Sequence, residues 1–401
     1  MQESLTQHGP AVRSAVAASP ALGTAAMRGG RLVGRALLAD GGIRPAEIAI
    51  EEGRIAAIRS LSEAPEASCL ILPGIVDLHG DAFERQLMPR PGVHFPILPA
   101  LVETDRQLLA NGITTAYHGL TLSWEPGLRG AEAARRFLAA LAAARSHLGC
   151  DTRLHLRFET YNLDMVEEVE TWLGQGLIDL LAFNEHTGDI AREIDGSAID
   201  SYLARTGLDE QVFRALFAGV TKRAAEVPPA VERLAAAAVK AGIPIASHDD
   251  DSPQMRAHFR ALGCRISEFP IDRATAAEAI AAGDATVLGA PNVMRGGSHL
   301  RRLAAAEAAA AGLCSVLASD YYYPALLHAP FLLAQRGTQP LARAWNLVSR
   351  NAALAAGLSD RGSIAQGLRA DLVLVDDRDP TLPLMRAAFV AGELRYASGT
   401  V

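Results

Sequence analysis

Hydrophobic and polar positions follow two different rhythms along this chain. From about Arg31 to Leu72 they alternate with a period near two. Arg31–Leu38 reads as a strand that ends at the turn Asp40-Gly41-Gly42. Glu47–Ile50 and Arg54–Ile58, joined by Glu51-Glu52-Gly53, read as a hairpin. After Leu72 short apolar runs alternate with Ala-rich segments. Eight runs fit buried strands: Ile75–His79, Ile113–His118, Arg153–Phe158, Leu180–Asn184, Ile243–His248, Arg265–Glu268, Ala285–Gly289 and Ser315–Ser319. Ala131–Leu148, Ala230–Lys240, Ala274–Ala282 and Leu300–Ala311 have the composition of helices. Strands that alternate with helices predict a parallel sheet in an α/β fold, and eight of them predict a closed (β/α)8 TIM-like barrel. An open doubly wound sheet would be favoured by a Gly-rich phosphate loop after the first strand, and none follows it.

Strand patterns return after Gly362, in Ala370–Asp376 and Ala388–Leu394. Neither chain end has enough strands to stand alone. Residues 29–72 and 362–401 are therefore expected to meet as one small β-sandwich domain, with the barrel (73–361) inserted between them. Residues 1–28, rich in Ala, Ser and Gly, read as a loose N-terminal extension.

Composition narrows the function classes. The chain has 401 residues, of which 49% are hydrophobic and 21% charged, enough for a large core. A net charge of -7 argues against a nucleic-acid surface. The four cysteines, Cys69, Cys150, Cys264 and Cys314, are far apart and suit reduced thiols in a cytoplasmic protein. No apolar run is long enough to span a membrane.

Functional groups in such a barrel sit at the C-terminal ends of strands. The first strand end gives His79 and Asp81, two residues apart and so on one face of an extended segment. The third gives Glu159, the fourth His186, the fifth His248 and the eighth Asp320. Taken alone, each has an ordinary structural explanation: a polar turn, a helix cap, an ion pair. Together they form an imidazole and carboxylate set suited to a divalent metal. In Ser247-His248-Asp249-Asp250-Asp251 the carboxylates after the histidine read as helix caps or as groups that orient His248. His118 could stand behind the ligands, whereas His155, His147 and His328 read as structural. Gly289–His299 follows the seventh strand. There Asn292, Arg295, Gly296, Gly297, Ser298 and His299 could form an anion site or simply a Gly-rich loop. Arg90, in Pro89-Arg90-Pro91-Gly92, could reach the same mouth or only stiffen a turn.

Several stretches resemble a known family. Pro73–Asp81 with the strand-end ligands resembles the amidohydrolase superfamily of metal-dependent hydrolases. Asp77–Asp81, Pro89–Val93, Ser247–Asp250, Gly289–Asn292, Arg295–His299 and Ser319-Asp320-Tyr321 resemble its phosphonate-metabolism branch, the α-D-ribose 1-methylphosphonate 5-triphosphate diphosphatases. The superfamily usually has H-x-H where this branch, like this chain, has H-x-D. The resemblance implies one or two divalent ions, zinc being the expected metal, held by His79, Asp81, Glu159, His186, His248 and Asp320. It further implies Glu159 as a bridging carboxylate and Asp320 as proton acceptor. The implied reaction converts a small phosphorylated substrate to its 5-phosphate and pyrophosphate. Hydrolysis or deamination of a cyclic amide or nucleobase-like ring is the alternative, and a non-enzymatic scaffold is a second. A homo-oligomer is compatible with either enzyme reading. The chain departs from the branch at Leu300-Arg301-Arg302, where small polar residues are usual. It departs again at Thr187-Gly188-Asp189-Ile190, in place of a Pro-Gly-Gln run.

Overall fold

The computed structural model describes residues 30–65, 69–90, 92–194, 196, 199–297 and 302–399. Four strands open the chain: β1 (Arg31–Leu37), β2 (Ile43–Glu51), β3 (Arg54–Ser60) and β4 (Leu70–Pro73). Eight follow in the barrel: β5 (Ile75–Gly80), β6 (Ile113–Leu122), β7 (Asp151–Glu159), β8 (Leu180–Asn184), β9 (Ile245–His248), β10 (Ile266–Glu268), β11 (Ala285–Gly289) and β12 (Val316–Ala318). The last three are β13 (Leu372–Asp376), β14 (Leu384–Val390) and β15 (Glu393–Ala397).

Strands β5 to β12 are hydrogen-bonded in sequence order, and each described pair is parallel. The seam between β12 and β5 is joined by one bridge, Gly80–Asp320. All eight expected barrel strands are present. Alternate residues of each strand point inward. Below the mouth the inward positions are apolar: Val76, Leu78, Tyr117, Leu180, Ala182, Ala246, Ile266, Val287 and Val316 fill the barrel as one buried cluster. The outward set of β7, Leu154, Leu156 and Phe158, packs under the helices. Ala131–Ala144 shows why those helices form: it buries Ala134, Phe137, Leu138 and Leu141 at three- and four-residue spacing, one stripe against the strands.

The two chain ends share one seven-stranded mixed sheet, in the order β15-β14-β13-β4-β1-β2-β3. β4 is its pivot, parallel to β1 and antiparallel to β13. The expected sandwich is this single sheet curled over itself. Ile48 and Ile55 from one end share a core with Leu372 and Phe389 from the other, and Ile55 N–H donates to Leu368 O at 2.9 Å. Gly74 alone separates β4 from β5. A Cβ there would lie 2.2 Å from Thr114 Oγ1, so only glycine lets the chain pass from one sheet to the other at this point.

Two expected elements differ. The helix expected over Leu300–Ala311 spans Ala305–Ala310; residues 302–304 are irregular and Leu300 and Arg301 lie outside the described residues. Ala388–Leu394 is not half of a hairpin but its turn, joining β14 to β15 through Ala391-Gly392. Ala391, at φ 49°, takes a left-handed position more usual for Gly, Asn or Asp, so Gly392 is the one residue that marks this turn in the sequence.

Candidate active site

The barrel seam builds the first part of the site. Asp77 is fully buried and accepts from Ser319 N–H at 3.0 Å and from Ser319 Oγ at 2.5 Å. Gly80 is required beside it, since a Cβ would lie 2.7 Å from Asp77 Oδ2 and 2.9 Å from Ser319 Oγ. Across the seam, Asp320 N–H donates to His79 O at 2.9 Å and Asp81 N–H donates to Asp320 O at 3.0 Å. Backbone bonds alone thus lock His79, Asp81 and Asp320 together. Asp320 takes a left-handed conformation there, with φ 55°. Asp249 (58°) and Phe269 (53°) do so after β9 and β10. Backbone in this region costs of order 1–3 kcal/mol per residue and persists where the surroundings impose it. Three such positions stand around one mouth.

The upper ends of the strands and the residues just after them supply three overlapping donor groups: His79, Asp81 and Asp320; His79, His248 and Glu268; and His186, His248 and Asp249. Within each group the ligand atoms lie within 4.8 Å of one another. Phe269 packs on the rings of both His79 (5.0 Å) and His248 (5.1 Å). Behind them His155 Nδ1 meets Leu78 O at 3.0 Å, and its Nε2 lies 3.5 Å from Glu268 Oε2.

These donors suit a divalent cation. His79 Nδ1, His248 Nδ1, His155 Nε2 and both Glu268 carboxylate oxygens are buried and make no hydrogen bond, although His79 Nδ1 stands 3.2 Å from Glu268 Oε1 and His248 Nδ1 3.2 Å from Asp249 Oδ2. Buried polar atoms normally make hydrogen bonds, so a cluster of nitrogens and carboxylate oxygens that face one another without making them is a donor set a metal ion satisfies. Burial holds the His79 imidazole well below its usual pKa and His155 down to about 3, leaving both neutral, as ligands must be. Burial, followed by the Asp81 charge, pushes Asp320 up to about 7. Burial opposes protonation of His186, but the Glu159 carboxylate outweighs it and the imidazole is raised.

His79, Asp81, His248 and Asp320 all line the mouth together, as does His186. Glu159 belongs to none of the three donor groups. It holds His186 from the side: Oε1 lies 2.5 Å from His186 Nδ1, and His186 N–H donates to Oε2 at 3.2 Å. Asp249, Asp250 and Asp251 do three different things, none of them helix capping. Asp249 Oδ2 lies 3.2 Å from His248 Nδ1. Asp250 is buried and accepts from Ser247 and Ser267 hydroxyls at 2.8 and 2.5 Å. Asp251 is exposed, and the helix Pro253–Ala261 is capped by Ser252. His118 is not behind the ligands: it faces outward, between Phe83 and Phe137. Glu268, absent from the expected set, had a signal in the sequence. It ends the sixth strand and is the one carboxylate of that strand, on an otherwise apolar inward row.

A cavity of ≈ 240 Å³ opens on the donors, lined among others by Arg157, Asn292, Arg302 and Tyr321. Arg302 pairs with Asp249. Arg295 ends the short helix Ala290–Arg295 and reaches Tyr321 Oη at 3.3 Å, and Gly296 caps that helix with φ 81°. Gly297 follows it, its N–H donating to Asn292 O at 3.1 Å. Arg90 is exposed and makes a backbone bridge with Val93. Ser298 and His299 lie outside the described residues. No described helix is long and apolar enough to cross a membrane.

No family model matches the chain. It is 31% identical over 344 residues to the alpha-D-ribose 1-methylphosphonate 5-triphosphate diphosphatase of Escherichia coli (strain K12), a match covering 82% of this chain and 90% of that protein. The fold is shared with solved structures at low identity. One is an amidohydrolase (TM-score 0.58, 16% identity, 91% of this chain and 98% of that one). Another is a 5-methylcytosine deaminase from Klebsiella pneumoniae liganded with 5-fluorocytosine (TM-score 0.59, 13% identity, 92% and 97%). With its barrel, its buried donor cluster and that full-length relative, the chain is a metal-dependent hydrolase of the amidohydrolase superfamily and belongs to the family of alpha-D-ribose 1-methylphosphonate 5-triphosphate diphosphatase.

Proposed function

We propose that this hydrolase cleaves α-D-ribose 1-methylphosphonate 5-triphosphate to the 5-phosphate and pyrophosphate, in phosphonate catabolism. The match along 90% of the E. coli diphosphatase carries this reading. The arginines in and beside the cavity support it, because a polyphosphate needs cations that a neutral ring does not. His79, Asp81, His186, His248 and Asp320 are the proposed ligands of one or two divalent ions, zinc being the expected metal, with Glu159 orienting His186 and Glu268 adding a carboxylate. Such an ion supplies Lewis acidity, making water more acidic and offsetting charge on a phosphoryl oxygen.

The rest is the work of the chain. Asp320, held at the seam in one orientation and raised to about 7, takes the proton of the attacking water. The loop of Asn292, Arg295, Gly296, Gly297, Ser298 and His299 receives the leaving pyrophosphate, with Arg90 as a further contact. The four cysteines are free and buried, which suits work in the reducing cytoplasm.

Asp320→Asn is the direct test. Pyrophosphate release from the triphosphate should fall by about 10²- to 10⁴-fold, with most of the metal retained and circular dichroism unchanged. Retained turnover removes Asp320 from the chemistry. Ammonia release from a ring substrate, with no pyrophosphate from the triphosphate, replaces this function with a deaminase.

A further inference from the structure

Arg157 is an inward residue of β7, between His155 and Glu159. Its side chain is 8% exposed, so the guanidinium is buried at the centre of the mouth. A guanidinium has five N–H donors. Here two of its nitrogens have only long contacts, Nη1 to Asp81 Oδ2 and Nη2 to His248 Nε2, each 3.4 Å. Its Nε has no partner. The other deeply buried arginines are held differently. Arg256 reaches Ser247 Oγ and Cys264 O at 2.6 Å each and Asp250 Oδ2 at 3.1 Å. Arg361 reaches Asp151 Oδ2 at 2.5 Å and Thr115 Oγ1 and Asp360 Oδ1 at 2.9 Å. The neighbouring strand makes room for Arg157: a Cβ on Gly119 would lie 3.3 Å from its Cδ.

A buried cation with unused donors is costly unless an anion completes it. Arg157 opens on the cavity shared by His79, His248, Asn292 and Asp320. It stands between the carboxylate end of the donor set, at Asp81, and the imidazole end, at His248. An anion resting there would touch both the ligands and the proton acceptor. We infer that Arg157 is a catalytic cation that grips the phosphoryl group under attack. Its N–H groups donate to the phosphoryl oxygens as the water oxygen bonds to the α phosphorus; the water's proton goes to Asp320 and the bond to the leaving pyrophosphate oxygen breaks. Fixed donors in a dry site stabilise the charge on those oxygens without reorganising. This rests on the diphosphatase reading given above. It adds a residue that neither strand-end reading nor metal chemistry requires.

The test uses metal-loaded full-length protein: wild type, Arg157→Gln, Arg157→Lys and Arg157→Ala. Metal content is read by elemental analysis, affinity for inorganic pyrophosphate by calorimetry, and turnover by pyrophosphate release. Arg157→Gln should keep the wild-type metal content yet bind pyrophosphate about 10- to 100-fold more weakly, as expected for losing charge-assisted hydrogen bonds. Its kcat should fall at least as far. Added guanidinium should partly restore Arg157→Ala, and Arg157→Lys, which keeps the charge without the fork, should be intermediate. Pyrophosphate affinity within twofold of wild type in Arg157→Gln overturns the inference. So does metal loss in parallel with affinity, which would make Arg157 only a brace for Asp81. If Arg157→Gln does not fold, Arg157→Lys decides the matter, with wild-type affinity and turnover overturning the inference. If the wild type binds pyrophosphate but releases none from the triphosphate, the diphosphatase reading falls, and Arg157 is still judged by pyrophosphate affinity. If the wild type turns over and Arg157→Gln does so equally well, the inference falls alone.

Discussion

Arg157, on a barrel strand and against His248, and Arg256, on a helix and against the neighbouring Ser247, are both buried, yet they are satisfied to very different degrees. Arg256 is wholly inaccessible and far better satisfied, although its Nε, like that of Arg157, makes no hydrogen bond. It bonds to the Ser247 hydroxyl, Asp250 and two backbone carbonyls, with Asp284 3.5 Å away. Every one of those partners belongs to the chain. Arg157, with two contacts at 3.4 Å, has most of its donor capacity left over. Burial alone therefore does not separate scaffold from site. The number of partners the chain itself provides does. Ions whose terminal nitrogens are held by short bonds fix geometry, and those left with long contacts reserve their hydrogen bonds for something that arrives.

The sharpest way to break this comparison is to remove the better-satisfied member. Arg256→Met leaves the Asp250 carboxylate buried without its guanidinium, although the Ser247 and Ser267 hydroxyls remain. Breaking a buried ion pair from one side costs about 3–5 kcal/mol, so denaturant unfolding should show a loss of that size. Arg157→Gln should cost well under half as much, because it breaks no short bond. Equal losses would mean that partner count says nothing about role.

His118 extends the comparison to a buried base with no carboxylate beside it. It packs on Phe83 and Phe137, and burial, reinforced by Arg145, brings its pKa down to about 4 from 6.5. The folded value lies below the unfolded one, so the unfolded chain takes up the proton first. The stability due to neutral His118 is complete above about pH 6.5 and is lost as pH falls towards 4. Between pH 7.5 and pH 5 the wild type should lose about 2 kcal/mol more than His118→Phe. Paired denaturation curves measure this, and parallel pH profiles would show that His118 is not buried as a neutral base.

The contrast between scaffold and site also marks what could be read from the sequence. The eight strands were legible because their apolar runs are short and spaced by Ala-rich helices. The residues after their ends followed, as His79, Asp81, His248 and Asp320 show. What stayed hidden was which partner each side chain finds. Asp249, Asp250 and Asp251 are indistinguishable in one dimension, but one faces His248, one is locked under Ser247 and Ser267, and one is exposed. The left-handed turn at Asp249 separates them, and nothing in a run of three identical residues announces it. His118 was misplaced for a related reason. A strand buried on both faces lacks the polar alternation that would say which side is inward. Nothing in the sequence marks Arg157, because an arginine inside a strand reads as the partner of a nearby carboxylate, and only the 3.4 Å distances show how little of its donor capacity Asp81 and His248 use.

Arg302 gives the smallest expected effect and the finest test of the comparison. It lines the same cavity as Arg157 and already has a carboxylate partner in Asp249. Its side chain is 27% exposed, so water can replace much of what it gives. A part-exposed pair of this kind contributes about 0–1 kcal/mol. Arg302→Ala should therefore leave stability and kcat nearly unchanged and raise KM for the triphosphate about threefold to fivefold, which is within that range. A charge at the rim assists capture, whereas a charge at the centre acts on the bond being broken. If Arg302→Ala lowers kcat as far as Arg157→Gln does, depth in the mouth is not what distinguishes the two arginines. Arg302, despite its Asp249 partner, would then belong with Arg157 among the groups that act on the phosphoryl oxygens.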